Sequence, residues 1–314
     1  MPSFKLQPFL IGLLATLLVV ACQNNAIRQS TNSQLDDCRT VLHVLGEVCV
    51  PKTPQKLISL DDITLADALA LGVQPIGVSL GRQLPNYLTE KIDSIELVGT
   101  SEQPNLEKIY QLNPDLIVGL ELYGESIYPE LSQIAPTAVG KWSGYPDWRE
   151  YFNFVARVLG KENEAKTVWN NYDRRIEELK TALGSSLQDI EVSFAYACCG
   201  VISIDTENSF SGSIMKEIGI RRPKSHAAVA DGLVILSEER IPDIDADILF
   251  LSVYNDEESA KILANLQQKP LWNQLKAVQN QQVYFVNHDI WRGGNPIAAN
   301  LVIDDLYKYL VEQP

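Results

Sequence analysis

From residue 57 onward, short runs rich in β-branched residues alternate with segments whose apolar positions recur every three or four residues. The runs Leu57–Leu60, Pro75–Val78, Glu96–Val98, Leu116–Gly119 and Thr137–Val139 predict strands. Helical spacing at Leu65–Leu71, Leu106–Leu112 and Ile127–Ile134 fills the gaps between them. A second series resumes with strands at Glu191–Ala197, Val201–Ile204, Ile248–Val253 and Val283–Val286. Its helices fall near Ser213–Ile218, Glu238–Ile241, Ser259–Gln267 and Pro296–Leu310. This rhythm predicts an α/β protein with mainly parallel sheets.

Between the two series lie the strongest helical patterns in the chain. Asp147 caps a predicted helix with Trp148, Tyr151, Phe152, Val155 and Leu159 on one face, closed by Gly160. A second helix over 161–183 places Ala165, Val168, Trp169, Tyr172, Ile176, Leu179 and Leu183 on one stripe. At 1.5 Å per residue it is about 34 Å long, enough to run between two lobes. The predicted organisation is an α/β lobe at 38–146, connecting helices at 147–187 and a second lobe at 188–314, with a ligand cleft between the lobes. A single doubly wound domain with the long helix on its face is the alternative.

An internal repeat favours two lobes. Asn105-Leu106-Glu107-Lys108-Ile109, leading to Asp115-Leu116-Ile117, returns 132 residues later as Ser237-Glu238-Glu239-Arg240-Ile241, leading to Asp247-Ile248-Leu249. Each copy is a capped helix start carrying an acid, then a strand introduced by Asp. Glu107 and Glu239 therefore occupy equivalent places. Complementing the helix dipole explains either acid alone; a matched pair invites a second role.

Composition narrows the function. A hydrophobic share of 46% supplies cores and excludes disorder as the main state. The net charge of −14 leaves no basic surface for nucleic acid. Residues 9–21 form the one long uncharged apolar run, preceded only by Lys5, which is the layout of a secretory signal. The run ends Leu18-Val19-Val20-Ala21-Cys22 and resembles a bacterial lipobox. That resemblance implies a signal peptide at 1–21, lipid on Cys22, a flexible tether at 22–37 and an exported chain anchored to a bacterial membrane; a plain signal peptide is the alternative. Export implies an oxidising compartment. Cys38 and Cys49 flank the hairpin pattern Thr40–Val44 and Glu47–Val50, so a local disulfide is the first choice, although a turn at Leu45-Gly46 would set Leu42 opposite Cys49. The adjacent Cys198 and Cys199 read as two buried thiols, a vicinal bridge being strained. No Cys/His spacing suggests zinc.

GxSxG, HExxH, P-loop and GxGxxG motifs are all absent, so enzyme readings are weak. His43, His226 and His288 are scattered and read as surface or structural residues, with no direct metal site. Leu57–Val78 (LISLDDITLADALALGVQPIGV), Pro104–Gly119 (PNLEKIYQLNPDLIVG), the central helix and Trp291–Ala299 (WRGGNPIAA) together resemble the substrate-binding lipoproteins of iron-siderophore ABC importers. The resemblance implies two Rossmann-like lobes joined by one long α-helix, a ferric siderophore as ligand, no cofactor, and an ABC permease with its ATPase as partners. It also implies that Glu107 and Glu239 dock the lobes on that permease. Cobalamin and haem binding by the same fold remain open, as does an exported α/β enzyme.

Ligands of such folds sit outside the carboxyl ends of the strands, and bulky, often anionic chelates need cations and flat aromatic walls. By resemblance, Arg82, Tyr123 and Trp291 are expected in the pocket; by strand-end placement alone, so are Trp142, Tyr196, Tyr254 and Arg292. Residues 221–232, which precede the Glu239 helix, lack the aromatic residue of hydroxamate-binding members and offer Arg221, Arg222, His226 and Asp231 instead. Hydroxamate and citrate-type chelates therefore both stay open.

Overall fold

A computed structural model describes residues 38–92, 94–198, 201–254 and 257–312. The predicted signal peptide and tether, Cys22 and Cys199 lie outside the described residues, as does the side chain of Cys198.

The described chain opens on a hairpin of β1 (Cys38–His43) and β2 (Gly46–Pro51). Its turn is Val44-Leu45, one residue earlier than expected, with Gly46 at φ 129° paired to His43. That shift sets Thr40 opposite Cys49 and leaves Cys38 two residues along the same face. The two cysteines, 5.6 Å apart at Cα, form a disulfide.

The first lobe is built on β3 (Leu57–Ser59), β4 (Gly77–Val78), β5 (Glu96–Leu97), β6 (Leu116–Leu120) and β7 (Thr137–Gly140), all parallel in the order β5-β4-β3-β6-β7. Helices α1 (Asp62–Ala70), α2 (Leu106–Leu112) and α3 (Tyr128–Ile134) alternate with them. Helices α4 (Trp148–Leu159) and α5 (Glu162–Leu183) follow. The second sheet holds β8 (Val192–Cys198), β9 (Val201–Asp205), β10 (Leu233–Leu236), β11 (Ile248–Val253) and β12 (Val283–Asn287) in the order β10-β9-β8-β11-β12. The sheets are mainly parallel, as expected, except that β9 runs antiparallel to both neighbours. Around this sheet lie α6 (Phe210–Ile218), α7 (Glu257–Gln267), α8 (His288–Trp291) and α9 (Pro296–Leu310). The expected helix at Glu238 is a 3₁₀ stretch, Glu238–Ile244, containing Pro242.

Position for position the two sheets correspond, and the repeated Asp explains part of the match. Asp115 accepts the backbone N–H groups of Gln55 (2.7 Å) and Lys56 (2.9 Å) just before β3. Asp247 accepts that of Glu191 (2.7 Å) just before β8. In both lobes the carboxylate that introduces one strand thus ties down the entry to its neighbour.

Helix α5 passes from one core to the other. Ala165 belongs to the first lobe's core, whereas Tyr172, Ile176, Leu179 and Leu183 belong to the second's. Its 22 residues span about 33 Å. Helix α9 crosses back: Ile297 packs on the first lobe, and Arg175 of α5 donates to the Asn300 carbonyl (2.9 Å). Asn295, which caps α9 by accepting from the Ala298 N–H (2.9 Å), donates its amide to the Tyr87 hydroxyl of the first lobe (2.9 Å). Side chains from both lobes are therefore packed and hydrogen-bonded against one another.

One buried group works against this fold. Asp67 of α1 is fully buried, and neither carboxyl oxygen finds a hydrogen-bond partner among the described residues. Burial, and secondarily the nearby Asp61, push its pKa well above the carboxylate range. The native state thus holds the proton more tightly than the unfolded chain, so this contribution to stability is fullest below the unfolded pKa and is lost as pH rises through the folded one. Asp67→Asn is expected to raise the melting temperature at pH 8, by the order of 1–3 kcal/mol in stability, and to do so less at pH 5. Equal shifts at both pH values in thermal unfolding would contradict this.

Candidate functional site

The strands of both lobes end at one cavity of about 250 Å³. From the first lobe come Asp62 and Ile63 after β3, Leu120, Leu122 and Tyr123 at the end of β6, and Trp142 and Tyr145 after β7. From the second come Tyr254 after β11 and His288, Asp289, Arg292 and Gly293 after β12. Only carboxyl ends of strands contribute, as α/β topology requires when adjacent helices fan away from the sheet.

Asp61 sets the first half of this geometry. Buried at the end of β3, it caps α1 by accepting the Thr64 N–H (2.7 Å) and ties in β6 by accepting the Leu120 N–H (2.9 Å). Burial lifts its pKa to about 7 against the pull of these two donors. The second half rests on Arg292-Gly293-Gly294-Asn295. Gly294 adopts φ 64°, and a Cβ on Gly293 would stand 2.4 Å from Ala298 Cβ and 2.8 Å from the Asp289 carbonyl. The double glycine lets the chain turn from α8 into α9 while Arg292 stays at the cavity floor.

Arg292 is only 10% exposed and lies between two rings, its guanidinium carbon 4.1 Å from the centre of Tyr196 and 4.7 Å from that of Tyr145. Its Nε is 3.6 Å from a carboxylate oxygen of Asp205, which is 1% exposed. Burial opposes the Arg292 charge, but Asp205, Tyr145 and Tyr196 outweigh it and raise the pKa. Burial likewise lifts Asp205 to about 6, against Arg292 and Arg222. Over the cavity, Arg82 of the first lobe reaches to the Tyr254 ring of the second, 4.2 Å from its centre. Tyr254 packs on His288 at 3.9 Å between ring centres, and His288 Nδ1 is 3.1 Å from the Ser252 hydroxyl. Trp142 meets Tyr145 and Tyr151 edge to face.

Of the residues expected in the pocket, Tyr123, Trp142, Tyr254 and Arg292 line this cavity, and Arg82 lies over the Tyr254 ring beside it. Two expectations need correcting. Trp291 is fully buried in the second lobe's core, against Phe194 and Phe250, with its indole N–H donated to Asp305 (2.8 Å). Tyr196 lies buried beneath Arg292 and supports it rather than lining the cavity. Of the polar residues at 221–232, Arg222 and His226 form a buried cluster at 2.8 Å below Asp205, and Arg221 pairs with Glu191 at 3.3 Å at the amino end of β8. Burial and the Arg222 charge lower the His226 pKa to about 3, so that ring is neutral.

Sequence reasoning missed Asp62, Tyr145, His288 and Asp289. Asp62 and Asp289 stand three and two residues past strand ends, where cations and aromatic rings, not acids, are the residue types expected for a chelate. Burial raises the pKa of both; the facing Asp289 charge raises Asp62 further, whereas Arg82 opposes the rise at Asp289. Among the described residues no group of three or more His, Cys, Asp or Glu side chains is placed to hold a metal ion.

The helix starts bearing Glu107 and Glu239 also correspond. Helix α2 follows β5 and the 3₁₀ stretch follows β10, each the outer strand at the matching edge of its sheet. β10 is parallel to β8 through two antiparallel pairings, so both acids lie on the same side of their sheets as the cavity. Both are exposed; Glu107 accepts from Gln111 (3.3 Å) and Glu239 from the Ser237 hydroxyl (2.7 Å). Glu238 is instead paired with Lys269.

Comparison with known proteins agrees with this architecture. The sequence profile described as Periplasmic binding protein matches residues 57–289. The "Probable siderophore-binding lipoprotein YfiY" of Bacillus subtilis is 31% identical over 318 residues, covering 96% of this chain and 97% of that one. The Fe(3+)-citrate-binding protein YfmC of the same organism is 32% identical over 289 residues, covering 89% and 88%. Among solved structures, Staphylococcus aureus SirA complexed with staphyloferrin B superposes with a TM-score of 0.76 at 26% identity, covering 87% of this chain and 98% of that one.

Proposed function

The chain belongs to the Periplasmic binding protein family, and from that premise we propose that it is the substrate-binding protein of an ABC importer, capturing a ferric siderophore and delivering it to a membrane permease driven by its ATPase. It acts by binding, without catalysis. The observation that carries this reading is the interlobe cavity walled by Tyr123, Trp142, Tyr145 and Tyr254, with guanidinium groups at floor and rim. Flat rings supply contact area to a bulky chelate, and arginine matches the paired oxygens of hydroxamate or carboxylate ligands. Because Arg292 is already clamped between Tyr145 and Tyr196, little order is lost when a ligand arrives. Both hydroxamate and citrate-type chelates suit these groups.

The direct test is titration of the purified protein with ferric hydroxamate, ferric citrate, ferric catecholate, cobalamin and haem, followed by tryptophan fluorescence, since Trp142 lies in the wall. Saturable sub-micromolar quenching by a ferric chelate is the expected result. A response to haem or cobalamin alone, or silence across the panel, would overturn the reading.

Anchoring completes the proposal. Lipid on Cys22 would hold the protein at the membrane that contains its permease, with residues 22–37 as the tether; the lipoprotein name of the YfiY relative supports this. Cys22→Ala is expected to abolish incorporation of radiolabelled palmitate into the protein in cells. Labelling that survives the substitution would refute the anchor.

A further inference from the structure

Beneath Arg292 lies a buried ionic cluster that takes no part in lining the cavity. Asp205, at the end of β9, holds a carboxylate oxygen 3.6 Å from Arg292 Nε and 3.5 Å from the Ser211 hydroxyl. Arg222 approaches the same residue, donating from Nη2 to the Asp205 carbonyl (2.6 Å) and to His226 Nδ1 (2.8 Å). His226 is buried and neutral, with Nε2 turned to the Asp243 carbonyl (3.2 Å). Arg222 is thus held by one backbone oxygen and one neutral ring, while its buried Nε and Nη1 find no hydrogen-bond partner among the described residues. Hydrogen bonding alone does not account for a guanidinium in this place, because a buried charge is costly unless another charge answers it. The first charge to answer it is Asp205, whose pKa burial raises and Arg292 and Arg222 pull back. Across the site the signs then balance: Asp62, Asp289 and Asp205 stand against Arg82, Arg292 and Arg222. Without Arg222 the balance turns negative, and of the two arginines that act on Asp205 only Arg292 would remain to neutralise it.

We propose that Arg222 is a positioning residue for an anionic ferric chelate: by sharing the Asp205 charge from below the cavity, it lets Arg292 give its own charge to a ligand carboxylate without stranding its buried partner. Arg222 does not line the cavity, and it acts through Asp205 and Arg292. Screening is weak in so buried a cluster, so a charge beneath the floor is felt at the floor. The effect depends on the charge of the ligand. A citrate-type chelate draws on the freed Arg292 charge, whereas a neutral chelate draws mainly on the walls formed by Tyr123, Trp142, Tyr145 and Tyr254.

The proposal rests on the reading of the cleft as a ferric-siderophore site, and its test separates the two. Ferric citrate and a neutral cyclic ferric trihydroxamate are titrated by tryptophan fluorescence at pH 8, above the value near 6 at which Asp205 titrates. Arg222→Gln, which can still donate to the Asp205 carbonyl, is expected to weaken ferric citrate binding about tenfold or more and trihydroxamate binding less than about threefold. Arg222→Lys should recover the citrate affinity. So should Asp205→Asn added to Arg222→Gln, a change that removes the stranded charge without replacing any bond Arg222 made. Should citrate alone bind, these two recoveries decide the matter. If Arg222→Gln does not fold, Asp205→Asn by itself should strengthen citrate binding relative to the trihydroxamate, and an unchanged ratio there would overturn the proposal. Equal losses for both chelates in Arg222→Gln, an unchanged citrate affinity, or no recovery in the folded double variant would reduce Arg222 to a structural residue. Wild-type protein that binds another ferric chelate but not citrate would also overturn the proposal, while leaving the siderophore reading intact. Failure of every ferric chelate to bind would instead sink that reading itself.

Discussion

Reversing two charges at once, Glu107→Arg with Glu239→Arg, is expected to abolish siderophore-dependent iron uptake in cells while leaving ferric-chelate affinity of the isolated protein within about twofold. Neither residue lines the cavity, so ligand binding has no reason to change. Each stands exposed at a helix start after the outer strand of its sheet, on the cavity side, and the two lobes present them as a pseudo-symmetric pair. A permease with two-fold symmetry would meet one carboxylate per half, which fixes orientation and speeds encounter more than it adds affinity. The rival explanation, that both acids only complement helix ends, is weaker for Glu239. Its helix is a 3₁₀ stretch, and its carboxylate also accepts the Ser237 hydroxyl. Glu238 is drawn aside to Lys269, so Glu239 is the acid chosen for the test. Uptake of radiolabelled ferric chelate by cells carrying the double variant decides the matter. Normal uptake at normal protein abundance would reduce both residues to local helix chemistry.

Much of the scaffold was legible because its signals are local. Helix α2 is bounded by Asn105, which accepts the Lys108 N–H, and by Asn113 in the left-handed conformation, so its limits can be read from residue types alone. Helix α9 begins with Asn295 and Pro296 for the same reason. Strand β10 was missed because Leu233–Leu236 is a four-residue apolar run without alternation, exposed at Ile235. The reversed direction of β9 left no mark in composition, since direction follows from where the chain is led next. At the site, strand-end placement brought Trp142, Tyr254 and Arg292 to the cavity but misplaced Tyr196, and the resemblance brought Tyr123 there but misplaced Trp291. Neighbouring residues in a helical turn point about 100° apart, so at the end of α8 Arg292 faces the cleft while Trp291 faces the core. The roles of Asp62 and Asp289 depend on two lobes meeting, and no window of sequence holds both.

Arg292→Ala should weaken ferric-chelate binding about 10–150-fold, since a charge-assisted hydrogen bond contributes roughly 1.5–3 kcal/mol. Arg82→Ala should cost less, because Arg82 is exposed at the rim and its charge is screened by solvent. The larger loss carries a second effect that must be separated from it. Asp205 is buried beside Arg292, and removing one partner of a buried pair leaves an uncompensated carboxylate, at a cost of about 3–5 kcal/mol if nothing adjusts. Asp205 already titrates near 6 with Arg292 present, and without it the pKa rises further. An acid whose folded pKa is raised is fully tolerated below its unfolded value and increasingly penalised as pH climbs to the folded one. The melting-temperature deficit of Arg292→Ala should therefore be larger at pH 8 than at pH 5. Adding Asp205→Asn removes the stranded charge and should restore most of the lost stability while leaving affinity low. Arg292→Lys keeps the charge but gives up the planar stack on Tyr196 and Tyr145, so it should fall between wild type and Ala in affinity. Calorimetry of the three variants with one ferric chelate distinguishes contact from support. If the Ala variant binds like wild type, or if Asp205→Asn returns its affinity together with its stability, Arg292 holds the lobe together and some other group meets the ligand.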